Sequence, residues 1–210
     1  MKNNIKKTIL ATLLGASTLV SAAAQAEWSS NAGFVSQYHF RGIQQTAGAS
    51  ASGGFDYESG SFSFGTWAAD VQDGLEIDLY GAFSMETEGG FGFSIGATTY
   101  QYTGDFDTSY NEVNLNFGKG AFSAEVSVGT WAEGMADGSD ASYTFIAGTY
   151  EADSGLYGTV GAFSGDIEGS YVEAGYGTTV ADLDIGISLI ISGSDLSDDE
   201  ALVFSIGKSF

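Results

Sequence analysis

Cysteine and proline are both missing from this sequence. Without cysteine there can be no disulfide scaffold and no thiolate metal site. Basic residues are scarce too, with six Lys and Arg against 27 Asp and Glu in 210 residues. A chain this acidic repels phosphate, which argues against free nucleic acid as a partner. Beyond the N-terminal segment no run approaches the length a membrane-crossing helix needs. What is abundant is glycine, with 31 residues, and apolar character, with 43% apolar and 14% aromatic residues. That is too much apolar material for a solvated coil, so disorder is excluded. Glycine abundance without proline does not suit an ordinary helical enzyme.

The N-terminus accounts for half of the basic residues. Lys2, Lys6 and Lys7 precede an apolar run from Ile9 to Val20, and Ala24-Gln25-Ala26 forms a small-x-small cleavage site. Together they read as a secretory signal peptide over residues 1–26. An anchoring helix is the other reading, but the apolar run is shorter than the ~20 residues a span requires. Cleavage leaves Glu27 first and residues 27–210 as one domain. Three basic residues, Arg41, Lys119 and Lys208, then face 27 acidic ones, a formal charge of −24. Lysines followed by an A-x-A end suit Gram-negative export.

From Trp28 onward the sequence alternates with a period of two. Leu75, Ile77, Leu79, Phe83 and Met85 alternate with Glu76, Asp78, Tyr80, Ser84 and Glu86. Val113, Leu115 and Phe117 alternate with Glu112, Asn114 and Asn116, and the same holds around Phe122–Val128 and Ile185–Ile191. This is the signature of strands with one apolar and one polar face. Twelve such runs are read, at 31–41, 49–58, 61–71, 75–87, 91–103, 110–117, 121–132, 141–151, 156–164, 170–180, 184–192 and 201–210. A run of about ten residues is long enough to cross a bilayer when tilted. Short Gly- and Asp-rich turns alternate with longer polar links, among them Gly42–Gly48, Gly104–Ser109, Glu133–Asp140 and Gly193–Glu200.

The pattern predicts an all-β fold, an antiparallel transmembrane β-barrel of about 12 strands, in the outer membrane of a Gram-negative bacterium. A soluble sandwich or barrel would show the same alternation, because period two cannot say which face is inside. Strand length favours the membrane barrel. So do the aromatics near strand ends, Phe40, Phe55, Tyr57, Phe91, Tyr143, Tyr157 and Tyr171, which are expected to form an interfacial girdle. Leu202, Phe204, Ile206 and Phe210 share one face of the last run, and a terminal Phe on such a strand is an assembly signal. The implied partners are outer-membrane lipids and the barrel-assembly machinery.

Charged residues on the lipid side would cost several kcal/mol near the midplane, so they must point inward or lie at the rims. The inner face is expected to carry Asp56, Glu76, Asp78, Glu112, Glu125, Glu173 and Asp184. His39 and Arg41 on the first strand and Lys208 on the last are the only basic residues read there. So few cations cannot neutralise that lining, which predicts a hydrated lumen with mobile cations instead of a plugged, salt-bridged one. Arg41 is placed to pair with lumen carboxylates in a structural contact. Inward Trp67, Tyr80, Tyr100, Tyr102 and Phe163 are expected to narrow the passage.

Three other features bear on chemistry. Gly92-Phe93-Ser94-Ile95-Gly96 matches G-x-S-x-G, but it falls inside an expected strand, whereas a nucleophile elbow needs a strand-to-helix turn. A lone His39 cannot build a zinc site. The acidic residues of the longer links, Asp105, Asp107, Asp137, Asp140, Asp195, Asp198, Asp199 and Glu200, read as solvated loops, with weak divalent-cation binding between loops as the alternative. No catalytic residue, metal site or cofactor is assigned.

Two regions carry a resemblance. Residues 31–46, NAGFVSQYHFRGIQQT, followed by Gly54-Phe55-Asp56-Tyr57 and Gly65-Thr66-Trp67, resemble the start of the TorF porin family, bacterial proteins of unknown function. That family shows Ser-x-Tyr-x-Phe-Arg-Gly, then Gly-x-Asp-Tyr, then Gly-Thr-Trp. Ala201–Phe210 resembles its closing strand. His39 stands where the family usually has Arg, and a proline frequent soon after that motif is missing. The resemblance implies an outer-membrane barrel with pore character and supplies no substrate.

The expected function is passive diffusion of small hydrophilic solutes, with a preference for cations. A closed structural or interaction barrel acting through its loops is the second reading, and an outer-membrane lipid hydrolase the third. Twelve strands fall between the side-chain-filled interior of eight and the open channel of sixteen.

Overall fold

The computed structural model describes residues 26–197 and 199–210, so most of the expected signal peptide and Asp198 lie outside the described residues. Strand β1 spans Glu27–Val35 and is followed by a small hairpin, β2 (His39–Phe40) and β3 (Ile43–Gln44). Then come β4 (Ser50–Ser59), β5 (Phe62–Val71), β6 (Gly74–Glu86), β7 (Phe91–Tyr102) and β8 (Tyr110–Lys119). The chain continues with β9 (Phe122–Trp131), β10 (Ala141–Glu151), β11 (Leu156–Gly165), β12 (Gly169–Val180), β13 (Leu183–Ser192) and β14 (Glu200–Ser209).

Twelve long strands, β1 and β4 to β14, pair with their neighbours in chain order and close into one antiparallel barrel. Closure leaves no sheet edge, which is what lets strands cross lipid. The links at one end are tight turns. Gly60 and Gly120, both at φ 61°, hold the first position of two-residue turns, and Ala181-Asp182 adopts φ of 52° and 61°. Such left-handed turns match the twist of the strands they join. At the other end lie the longer loops. Both chain ends of the barrel sit at the turn end, as an even strand number requires.

The alternation resolves as one face out and one face in. Leu75, Leu79, Val113, Val128, Ile146, Leu189, Ile191, Leu202 and Phe204 are exposed on the outside, while Glu76, Asp78, Glu112, Asn114, Asn116 and Ser127 are buried inside. An outer surface this apolar and contiguous is made for hydrocarbon, not water. The girdle differs from the expectation. Phe55, Tyr57 and Phe91 do lie on the outer face near the turn end, joined there by Trp28, Phe62, Phe122, Tyr150, Tyr176 and Phe210. Tyr143, Tyr157 and Tyr171 point inward, and Phe40 belongs to the small hairpin. The outward aromatics therefore gather at the turn end, and the loop end is mainly aliphatic outside. Period two gives position along a strand, but the face of each aromatic depends on register.

The barrel closes by pairing β1 with β14, Asn31 opposite Ser209 through Val35 opposite Ser205. Phe210 extends that seam: its N–H donates to the Ser30 carbonyl at 2.8 Å and its carbonyl accepts from the Ser30 N–H at 3.2 Å. Its ring is exposed, with the Lys208 ammonium 5.5 Å from the ring centre. Lys208 thus shares the outer face with Leu202, Phe204 and Ile206, and the expectation that it lines the lumen is corrected. Deleting Phe210 removes two seam bonds and the terminal ring. The yield of heat-modifiable, folded barrel in membrane fractions is expected to fall severalfold. An unchanged yield would show this end to be dispensable.

Candidate functional site

Residues 36–49 join β1 to β4, and they fold into the barrel. This corrects the expectation that the first strand runs to residue 41 with His39 and Arg41 on it and an outward loop after them. The strand ends at Val35, and β2 and β3 turn back through Arg41-Gly42, whose φ values of 48° and 83° describe a type I′ turn. Arginine is uncommon in that left-handed region, and its contacts must hold it there. Gly42 is required on two counts: its φ, and the Tyr171 side chain, whose Cβ would lie 2.6 Å from an added Cβ.

The hairpin is tied on both sides. The Gln45 N–H donates to the Tyr38 carbonyl at 2.8 Å, and the Tyr38 N–H donates to Thr46 Oγ1 at 2.9 Å. The Ser192 hydroxyl donates to the Gly42 carbonyl, and the Gln44 N–H donates to Ser197 Oγ at 3.1 Å. Tyr38 packs with Ala69 and Val71, with Phe40, Trp67, Tyr102 and Phe106 around them. Ile43 packs on a second inner cluster built from Tyr143, Phe145, Phe163, Tyr171, Ile190, Ala201 and Val203. The loop-end half of the lumen is therefore a core with the first loop at its centre.

Arg41, at the hairpin tip, is buried against β8 and β9. Its Nη1 donates to Glu112 Oε1 at 2.6 Å and its Nη2 to Glu112 Oε2 at 3.0 Å. Nη2 also faces Glu125 Oε1 at 2.6 Å and Ser127 Oγ at 3.3 Å. The guanidinium carbon lies 4.2 Å from the centre of the Phe145 ring and 4.7 Å from that of Phe40. Glu112 is fixed in turn by Tyr143 at 2.8 Å, Asn114 at 2.8 Å and Tyr100 at 3.1 Å, all donating to it. Ser127 donates to Glu125 Oε1 at 2.7 Å. The expected pairing of Arg41 with lumen carboxylates is present, but it comes from a hairpin and it plugs. The expectation of a hydrated lumen instead of a plugged, salt-bridged one is corrected at the loop end accordingly. Strand periodicity carries no sign that a loop folds back inside.

Among the described residues the other inner carboxylates have no cationic partner. Asp56 accepts from Tyr80 at 2.6 Å, and Glu76 accepts from Tyr38 at 2.5 Å and Tyr102 at 2.9 Å. Glu173 accepts from Tyr157, and Asp184 from Thr179 at 2.6 Å. Asp78 is buried between Trp67 and Tyr100 on the neighbouring strands, and its Oδ1 has no hydrogen-bond partner. Hydroxyl donors stabilise a carboxylate without cancelling its charge. All five inward aromatics named from the sequence, Trp67, Tyr80, Tyr100, Tyr102 and Phe163, lie on this inner wall.

His39 is buried at the loop end, its Nε2 3.6 Å from Asp199 Oδ2, and neither ring nitrogen makes a hydrogen bond. Burial pulls its pKa down and nearby Asp199 opposes that shift. In the loops, Ser139 donates from both hydroxyl and N–H to Asp137, which lowers that carboxyl's pKa, and Asp107 accepts from Tyr110 and Trp131. Among the described residues no cluster of three His, Asp or Glu is arranged to hold a metal ion. Ser94 sits within β7, fully buried, 3.4 Å from Asn116 Nδ2, so its G-x-S-x-G segment is strand interior and not an elbow.

Sequence reasoning missed Ser127, Tyr143 and Phe145 as parts of the Arg41 site, and Tyr38 as a donor to Glu76. The available signal was Arg41-Gly42 itself, an x-Gly pair flanked by residues that can form a short hairpin.

The family of bacterial proteins of unknown function named Gcw_chp matches residues 20–197. The chain belongs to the Gcw_chp family. No curated protein matches it. Among solved structures, an outer membrane channel from Pseudomonas putida F1 is similar, with a TM-score of 0.56 at 9% identity over 92% of this chain and 98% of that one. A second, from work on in-meso crystallization of membrane proteins, gives a TM-score of 0.61 at 12% identity over 87% of this chain and 83% of its own. At such identities the likeness is one of fold, that of a closed antiparallel β-barrel.

Proposed function

We propose that this Gcw_chp protein is an outer-membrane diffusion channel for small hydrophilic solutes, selective for cations and narrowed by its own first loop. The carrying observation is the charge of the inner wall. Five carboxylates, Asp56, Glu76, Asp78, Glu173 and Asp184, have hydroxyl partners or, at Asp78 Oδ1, none. Arg41 offsets only Glu112 and Glu125. A low-dielectric wall focuses that field along the axis, concentrating cations and excluding anions. The fold, the apolar outer face and the resemblance to TorF porins support the membrane and channel reading. Lipid against the outer face and the assembly machinery at the closing strand are the partners this reading implies.

The test is the reversal potential of single barrels in a salt gradient. A cation-selective sign is expected, strongest at low salt, where the Debye length reaches about 30 Å at 0.01 M. Glu76→Gln with Asp78→Asn should move it toward zero while leaving Glu112 and Glu125 on the plug. Anion selectivity would overturn the reading. Absence of current from folded, unmodified barrels would favour a closed structural barrel acting through its loops, which the filled loop-end lumen also suits.

A further inference from the structure

We infer that the inner wall around Glu112 and Glu125 is a guanidinium-binding site, occupied in this structure by the chain's own Arg41 as a tethered ligand, for which a free guanidinium-bearing solute competes.

The wall side of the site is built without the loop. Glu112 presents both carboxylate oxygens, held by Tyr143, Tyr100 and Asn114. Glu125 presents one oxygen oriented by Ser127, which Asn114 also contacts at 2.9 Å. Phe145 supplies a ring face at 4.2 Å from the guanidinium carbon. These residues stand on β7 to β10, and Glu112 and Ser127 are almost completely buried. Two parallel N–H···O contacts to one carboxylate, a third to another and a ring beneath are the arrangement that distinguishes a planar guanidinium from a compact ammonium.

The occupant alone comes from a loop and not from the barrel wall. It reaches the wall through a turn in which arginine adopts φ 48°. A second observation points to an incoming cation. Asp78 lies opposite Tyr100, the residue that bonds Glu112. It is more than nine-tenths buried, and its Oδ1 is unpartnered. A guanidinium entering the lumen therefore meets a free carboxylate between two aromatic rings, beside the place Arg41 holds. Exchange of one guanidinium for another costs the wall nothing in charge balance. It frees Arg41, and with it the hairpin, so the solute that fits the site also opens the passage. The opening step rests on the channel reading; the site does not.

The experiment is hydrogen exchange of residues 36–49 in the full folded barrel, with methylguanidinium compared with methylammonium at equal, low ionic strength. Methylguanidinium is expected to speed exchange of this segment by roughly tenfold, because it binds the released state in preference to the docked one. Methylammonium should change it little. Arg41→Gln should exchange rapidly from the start and gain nothing from methylguanidinium. An equal response to both cations, no response to either, or an Arg41→Gln segment that still accelerates would overturn the site. A parallel bilayer recording separates the two readings. Guanidinium-specific exchange without current would leave the site standing and remove the channel.

Discussion

Joining Ser36 directly to Gly48, with residues 37–47 removed, is expected to raise single-channel conductance severalfold, by about three to ten times if the hairpin sets the narrowest point of a twelve-strand lumen. The barrel should tolerate the change. Val35 and Ser50 already face each other across β1 and β4, so Ser36, Gly48 and Ala49 are left as a three-residue turn between paired strands. The deletion removes Tyr38, Phe40 and Ile43 from the two inner clusters, and with Tyr38 and Arg41 the bonds to Glu76, Glu112 and Glu125. The wall itself is continuous sheet hydrogen bonding and does not depend on those contacts. Cation selectivity should persist and grow, since Arg41 is gone and the wall carboxylates remain. Planar-bilayer recording of the heat-modifiable barrel is the check. Conductance unchanged by the deletion would mean that the inward aromatics or another loop limit flow.

Glu112→Leu is expected to release the docked loop at a cost of about 3–5 kcal/mol, the scale of leaving one partner of a buried ion pair behind. Glu112 gathers five contacts, two from Arg41 and one each from Tyr100, Asn114 and Tyr143. Leucine leaves the guanidinium with Glu125 as its one charged partner and Ser127 beside it, and strands the Tyr100 and Tyr143 hydroxyls. The double change Arg41→Met with Glu112→Leu should be markedly less damaging, because no buried cation is left short of a partner, the two apolar side chains fill similar volume, and Glu125, which is partly exposed, keeps its hydroxyl donor Ser127. The ordering, with the single variant worse than the double, is what a buried charge demands. Hydrogen exchange across residues 36–49 reads it locally, and the unfolding temperature of the barrel should move far less. A double variant at least as loose as the single one would show that geometry, not the stranded charge, governs the loop.

Much of the barrel was legible in the sequence, because β-structure in a membrane is a local code. Side chains alternate every residue, hydrocarbon tolerates no charge, and so Leu75, Ile77 and Leu79 had to face one way and Glu76 and Asp78 the other. Strand number, turn positions, the polar inner wall and the closing role of residues 201–210 followed from that rule applied twelve times. The rule stops where a residue's face is set by register or a loop's path by distant partners. Tyr143, Tyr157 and Tyr171 sit near strand ends as girdle residues do, yet the pairing of β10 to β12 turns them inward. Lys208 is polar, yet its place beside Phe210 puts it outside at the rim. Above all, nothing within residues 36–49 says that Arg41 lies beside Glu112 and Glu125, 71 and 84 residues away in sequence. The sequence by itself determined an acidic twelve-strand barrel with its charges inside. Only the tertiary structure decided that Arg41 would be spent on holding the first loop across the opening, because that contact exists only once barrel closure brings β8 and β9 to face the end of β1.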